Sequence, residues 1–288
     1  LFIIGNYITE IWYSQAQGTV PVSYNNTMLF EVGCAATGSI AEGPRDEKGI
    51  LVWLGGDKDG VGSIYMTSGS EPKKISTQAI DLVLRGLTVV SDAIGYIYKE
   101  AGHIFYVLTF PTSNLTLQCD LTSTNLSERW SNLEQLNGDA YIGSCHTYFN
   151  KQHLIGSRLS SGVHLLSYLI PTEGGATVHR YIQGGSFMLA SYNRLLINNF
   201  EVNFSGGSGN VNNPGEDPNV FLRVSIDEGH TFSLTERKSE IGKLGQYRYR
   251  AQWYGLGTMR SFTPRIDVYA PVTAYVLGAK LVYSIGKA

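Results

Sequence analysis

Phe221-Leu-Arg-Val-Ser-Ile-Asp-Glu-Gly-His-Thr-Phe232 and, after a polar spacer, Gly242-Lys-Leu-Gly-Gln-Tyr-Arg-Tyr-Arg-Ala-Gln-Trp-Tyr-Gly-Leu-Gly-Thr-Met-Arg-Ser-Phe262 carry the densest strand pattern in the chain. Ser225, Asp227, Gly229, Thr231 and Phe232 stand in the order Ser-x-Asp-x-Gly-x-Thr-aromatic. Each suits a hairpin turn in its own way. Asp227 accepts backbone N–H bonds, Gly229 takes the positive φ that the reversal needs, and Phe232 packs under the sheet. Tyr247, Tyr249, Ala251 and Trp253 then alternate with Gln246, Arg248, Arg250 and Gln252, the period of a strand with one packed face. Gly255-Leu-Gly257 interrupts the run. Beyond it Phe262, Pro264, Ile266 and Val268 stand opposite Ser261, Thr263, Arg265 and Asp267, so the expectation is strand, turn, strand.

Outward from this stretch the composition points the same way. The 288 residues include 33 glycines and 18 tyrosines, with 43% hydrophobic and only 16% charged, a balance that favours many short strands joined by tight turns. The fold class expected is all-β, in antiparallel sheets with one short helix. Residues 1–204 are expected to form a body of successive sheets, 205–218 a flexible Gly/Asn/Ser loop, and 219–288 a C-terminal β module.

Blade-like patterns recur upstream. Ile50 to Met66 reads as a hairpin turning at Gly55-Gly-Asp-Lys-Asp-Gly60. Ala93 to Trp130 reads as a three-strand meander closed by an aromatic, and the run from Tyr141 to Ile170 as another. The helix is Ile75-Ser-Thr-Gln-Ala-Ile-Asp-Leu-Val-Leu-Arg-Gly86, capped by Ser76 or Thr77, with Ile80, Val83 and Leu84 as its packed stripe. Asp57-x-Asp59-Gly60 has the opening of a calcium loop but not its later oxygen ligands, so it reads as a solvated turn. The first residues, Leu1-Phe-Ile-Ile-Gly, read as a strand entered midway rather than a signal peptide, and no apolar run spans a bilayer. The expectation is a soluble chain that continues upstream and meets no membrane.

The chemistry of enzymes is hard to place. Six histidines, at 103, 146, 153, 164, 179 and 230, never form a metal-protease motif, and neither a Walker loop nor a nucleophile elbow is present. Cys34, Cys119 and Cys145 are too dispersed for a zinc site and read as buried small hydrophobes. No cofactor and no metal are expected. A formal charge of −2 argues against a free-standing nucleic-acid binder and confines any DNA contact to a local patch.

A family resemblance covers nearly the whole chain. The Ser225 to Phe232 motif resembles the Asp-box hairpins of β-propellers. With Ile241 to Trp253 and Leu256 to Phe262 behind it, it is similar to the C-terminal signature of the packaged-DNA stabilisation family, the tail hub or nozzle proteins of short-tailed bacteriophages. Phe2-Ile-Ile-Gly to Thr9-Glu-Ile-Trp12, Trp53-Leu-Gly-Gly-Asp, Ile75-Ser-Thr-Gln-Ala-Ile80 and Gly102-His-Ile-Phe-Tyr-Val-Leu-Thr-Phe-Pro111 follow in that family's order.

The resemblance implies a β-propeller-like array of antiparallel four-stranded sheets, with residues 1–204 as propeller blades and the Asp-box in the module behind them, and a structural virion protein, assembled in the host cytoplasm, that forms a homo-oligomeric ring. Its implied partners are other tail and portal-adaptor proteins, needle and tailspike among them. The alternative class is a sialidase-like or glycan-binding Asp-box propeller, for which the Asp-box is a folding device and no arginine triad is marked.

Two groups of residues follow as candidate sites. Ser225, Asp227, Gly229, Thr231 and Phe232 are expected to stabilise a turn, without catalysis. Lys243, Arg248, Arg250, Arg260 and Arg265 are expected to form a cationic face toward a partner subunit or the phosphates of double-stranded DNA, against the plainer reading of a solvated face with Glu240 and Asp267 as neighbours.

Overall fold

The computed structural model describes residues 1–15, 21–44, 49–57, 60–69, 71–125, 128–205, 207, 209, 211, 215–247 and 249–286. They form two compact units, Leu1–Tyr168 and Leu169–Ala288. Among these residues the strand pairings are antiparallel, as the alternation of apolar and polar residues implies.

The first unit holds four sheets in chain order among the described residues. The first is the meander Phe2–Ile4, Thr9–Ser14 and Val22–Phe30. The second is built on the hairpin Ile50–Asp57 and Gly60–Ser68, flanked by Gly33–Cys34, Ala41–Glu42 and Lys73–Lys74. The third is the four-stranded blade Ile94–Glu100, His103–Phe110, Leu115–Asp120 and Trp130–Asn132, and the fourth is Gly143–Phe149, Gln152–Ser157 and Val163–Leu166. The sheets therefore carry three to five strands rather than a uniform four. Asp59, which the calcium-loop reading needs, lies outside the described residues.

Val52, Leu54, Ile64, Leu84, Tyr106, Leu108, Phe110 and Leu117 are fully buried in one cluster. Burial of such side chains is the main stabilising term, on the order of 1.5–3 kcal/mol each. The large rings are placed by their polar ends: Trp53 donates to the Gly33 carbonyl at 3.0 Å, Tyr106 to the Ser39 carbonyl at 2.8 Å.

The helix Gln78–Gly86 forms where expected, with Thr77 as N-cap. Its packed stripe differs. Leu84 and Ile80 face the core, but Val83 is exposed and Asp81 takes the buried position, because Ser76 donates to it at 2.6 Å and Lys74 pairs with it.

Among the described residues the second unit is a short hairpin, Thr172–Glu173 with Ala176–Thr177, followed by two larger sheets packed face to face. One has Leu195–Phe204 at its centre between Arg250–Met259 and Val276–Ile285. The other runs Arg180–Gln183, Ser261–Val268, Asn219–Ser225, Arg237–Glu240, with Phe187–Met188 also on Ser261–Val268. Phe200 meets Phe262 edge-on at 5.3 Å and Trp253 stacked at 5.9 Å, joining the two layers.

Three expectations change here. The division between units falls after Tyr168 and not after residue 204, because Leu195–Phe204 is the central strand of the second unit. Gly255-Leu-Gly257 is not the turn. The strand runs through it to Met259, with both glycines at positive φ (59° and 95°) opposite a register shift between Ile197 and Asn199. That bulge moves inward-facing positions from Leu195 and Ile197 to Phe200, Val202 and Phe204. Finally, the strand begins only at Arg250. Tyr247 and Tyr249 stand exposed in the segment before it, while Ala251 and Trp253 face the core.

Candidate functional site

Strand Asn219–Ser225 ends in the turn built by the Ser-x-Asp-x-Gly-x-Thr motif. Asp227 accepts from the Thr231 N–H at 2.8 Å, from the Thr231 hydroxyl at 2.6 Å and from the Ser225 hydroxyl at 2.6 Å. Ser225 in turn accepts the Gly229 N–H at 2.8 Å. Gly229 has φ 96°, and a Cβ there would lie 2.8 Å from the Gln183 amide. The Ser225 and Thr231 bonds favour the charged carboxylate and hold Asp227 well below the usual carboxylate range. Both its oxygens are engaged within the turn, an arrangement that orders the backbone. Phe232 is only half-buried, beside the Arg265 guanidinium at 5.9 Å, and does not sit under the sheet as expected.

The expected cationic face is not assembled. Arg250 lies on the three-stranded sheet and pairs with Glu201 at 2.8 Å; Lys243 precedes that strand and pairs with Asp217 at 2.6 Å. Arg265 lies on the other sheet and donates to Asp267 at 3.0 Å, the carboxylate of the plainer reading. Glu240 accepts from Tyr249 instead. Arg260, between the sheets' strands, is exposed, and Arg248 lies outside the described residues. The expectation set Arg248 and Arg250 on one strand and Arg260 and Arg265 on the next, with Lys243 just before them; the passage from sheet to sheet at Arg260 puts Arg250 and Arg265 on different sheets.

What the fold does assemble, on the outer face of the five-stranded sheet, is a cluster around Asp267. Register sets Arg223 directly opposite Arg265, a like-charge pair that repels unless a carboxylate intervenes. Asp267 supplies it. Fully buried, it also meets His179 at 2.8 Å, and Arg223 lies 3.7 Å away. Glu236 pairs with Arg223 and accepts from Tyr269 at 2.9 Å. The bond from Arg223 chiefly holds the Glu236 carboxyl below its ordinary range. Tyr269 stacks on His179 at 4.5 Å, and Arg265 lies over the Tyr181 ring at 3.9 Å. Sequence alone missed this cluster because its members span residues 179 to 269. Only the Asp267/Arg265 alternation hinted at it.

The first unit carries a cleft of about 890 Å³, lined by Glu42, Tyr98, Lys99, His146, Tyr148 and His153 among others. Arg158 and Arg129 of this unit are tied to backbone carbonyls instead, Arg158 to Ala140 and Tyr141, Arg129 to Ser123. Among the described residues no group of three or more His, Cys, Asp or Glu is placed to hold a metal ion. Cys34 and Cys119 are buried thiols as expected, while Cys145 is exposed.

Residues 1–170 match the family model described as bacteriophage P22 Gp10, beta-propeller, and residues 181–281 the model described as bacteriophage P22 Gp10, beta-sandwich. The chain belongs to the P22 Gp10 family. The resemblance to packaged-DNA stabilisation proteins carried by the short motifs is the same family, and its two named folds coincide with the two compact units. No curated protein matches the chain. Among solved structures, a glycoside hydrolase family 43 arabinoxylan arabinofuranohydrolase from Bacillus subtilis, in complex with cellotetraose, is 9% identical over 94% of this chain. The chain spans 57% of that protein's length, and at a TM-score of 0.23 the likeness carries no argument for fold or activity.

Proposed function

We propose that this Gp10-family chain is a structural component of a short-tailed phage's tail, which helps close the portal channel, retain packaged double-stranded DNA and dock other tail proteins such as needle and tailspike. It acts as a homo-oligomeric ring in the virion, assembled in the host cytoplasm, and works through interfaces and not through catalysis. The observation that carries this reading is the pair of family matches, one on each compact unit.

Two features support it. Among the described residues Val276–Ile285 is a ten-residue edge strand paired on one side only, with Leu277 and Ile285 mostly in solvent, as a subunit that assembles by its surface would present. Lys243, Arg250 and Arg265 are each compensated, by Asp217, Glu201 and Asp267, which weakens phosphate attraction and favours protein docking over DNA contact.

The test is complementation of a phage deleted for its Gp10-family gene with the gene encoding this chain. Recovery of heads that keep their DNA, with ring density at the tail in negative stain, is the expected result. Heads that empty although the protein is incorporated would remove the retention role. Exchanging Arg250 and Arg260 for glutamate in the same background should impair incorporation more than DNA retention.

A further inference from the structure

His146 and His153 stand seven residues apart on the two strands of one hairpin. The hairpin closes through Asn150 and Lys151, both at positive φ (48° and 62°), the geometry of a two-residue primed turn. Register sets His146 opposite Ile155 and His153 opposite Tyr148, so both imidazoles share one face as a diagonal cross-strand pair. Nε2 of His146 and Nδ1 of His153 are 2.9 Å apart, and both rings line the cleft of about 890 Å³.

Tyr96, Tyr98 and Tyr148 surround the pair with ring contacts between 4.8 and 6.2 Å, so the rings are held by packing. The backbone of Ile97 also meets the His146 ring, a contact of the kind that orients metal-binding histidines.

We propose that His146 and His153 form a two-imidazole site for a divalent transition-metal ion of the copper(II) or nickel(II) class, with water from the cleft completing its coordination. The class follows from the ligands: imidazole and water suit copper(II), nickel(II) and zinc, and copper(II) stands highest in their order of affinity. The 2.9 Å between the two nitrogens is the N–H···N bond that the ion would replace.

The exchange is balanced: the ion replaces one N–H···N bond, the bridging proton moves to the outer nitrogen of the ring that carries it, and small tilts of the two rings bring their lone pairs together, with no net proton released from the neutral pair. Glu42 and Lys99 line the same cleft as its charged groups. The site is independent of the proposed tail role, since it needs only the first unit's fold.

The experiment uses the full chain purified without a histidine tag. Nickel chloride at about 100 μM should raise the melting temperature by several degrees, and copper(II) should bind more tightly than nickel or zinc. The copper(II) electron paramagnetic resonance spectrum should show two equivalent nitrogen couplings. His146→Asn and His153→Asn, each checked for native circular dichroism, should abolish the shift and leave one coupling or none. A shift undiminished in the double variant assigns binding to other histidines and overturns the proposal. So does a wild-type copper spectrum without a second nitrogen, or zinc binding more tightly than copper(II).

Discussion

The two units solve the same problem, burying polar groups in a β fold, by different means. In the first, large rings end in single neutral bonds: Tyr106 to Ser39, Trp53 to Gly33, and Trp130 to the Ile75 carbonyl at 3.1 Å. Its deeply buried acid, Asp81, lies in the first turn of the helix. In the second, charge is central. Asp267 gathers His179, Arg265 and Arg223, and Glu201 holds Arg250 and Gln252 at 2.8 and 2.7 Å. A neutral bond is lost at about 1 kcal/mol and does not depend on pH, whereas a buried charge stripped of its partners is much more costly. The first unit should therefore tolerate polar substitution, and the second should fail when one carboxylate goes.

The largest expected effect breaks the comparison at its strongest point. Asp267→Ala leaves two opposed arginines without their common counter-charge. Because both are partly exposed, the cost is nearer the low end for a broken buried pair, about 3 kcal/mol. Hydrogen exchange of peptides from Leu195–Phe204 should quicken while those from His103–Phe110 keep their protection. Equal loss in both would show that the units do not differ in this way.

Acidification sharpens the contrast in the metal-free protein. The folded His146 pKa is depressed from 6.5 to about 4, so between those values the unfolded state binds more protons. Stability therefore falls as pH drops through that window and levels below it, by about 2 kcal/mol once partial solvation is allowed for. Asp227, Glu201 and Glu236 in the second unit are depressed carboxylates, by bonds from Ser225, Gln252 and Arg223 respectively. Their contribution is present above the ordinary carboxylate pKa and is lost as pH falls through the lower folded values. Exchange at pH 5 should thus expose the first unit before the second. The reverse order would mean that His146 is not held neutral by burial.

Much of the fold was legible because its signals are local. The Asp-box, the helix cap and the strands of the 94–132 blade each depend on residues within one turn or one alternating run. The unit boundary was not, because Leu195–Phe204 reads like any other strand and only its partners, Arg250–Met259 and Val276–Ile285, assign it to the sandwich. The candidate face failed for a related reason. Alternation gives a face to each strand, but not the sheet to which the strand belongs. The Asp267 cluster and the His146/His153 pair depend on register across strands; for the histidines the clue was present, a seven-residue spacing around an Asn-Lys turn.

The smallest effect tests how the first unit places its exceptional acid. Sequence offered Ser76 or Thr77 as the helix cap, and the structure divides the work between them. Thr77 accepts the Ile80 N–H at a long 3.4 Å, so Thr77→Ala should cost no more than about 0.5–1 kcal/mol. Ser76 is buried, accepts the Ile64 N–H at 3.1 Å and donates to Asp81 at 2.6 Å, which binds the helix to the neighbouring strand. Ser76→Ala leaves both a buried N–H and a carboxylate lone pair unmet and should cost about 1–3 kcal/mol. Urea unfolding of the two variants followed by Trp53 and Trp130 fluorescence separates them. If Thr77→Ala proves the more damaging, the helix is held by its own cap, and Asp81 does not serve the first unit as Asp267 serves the second.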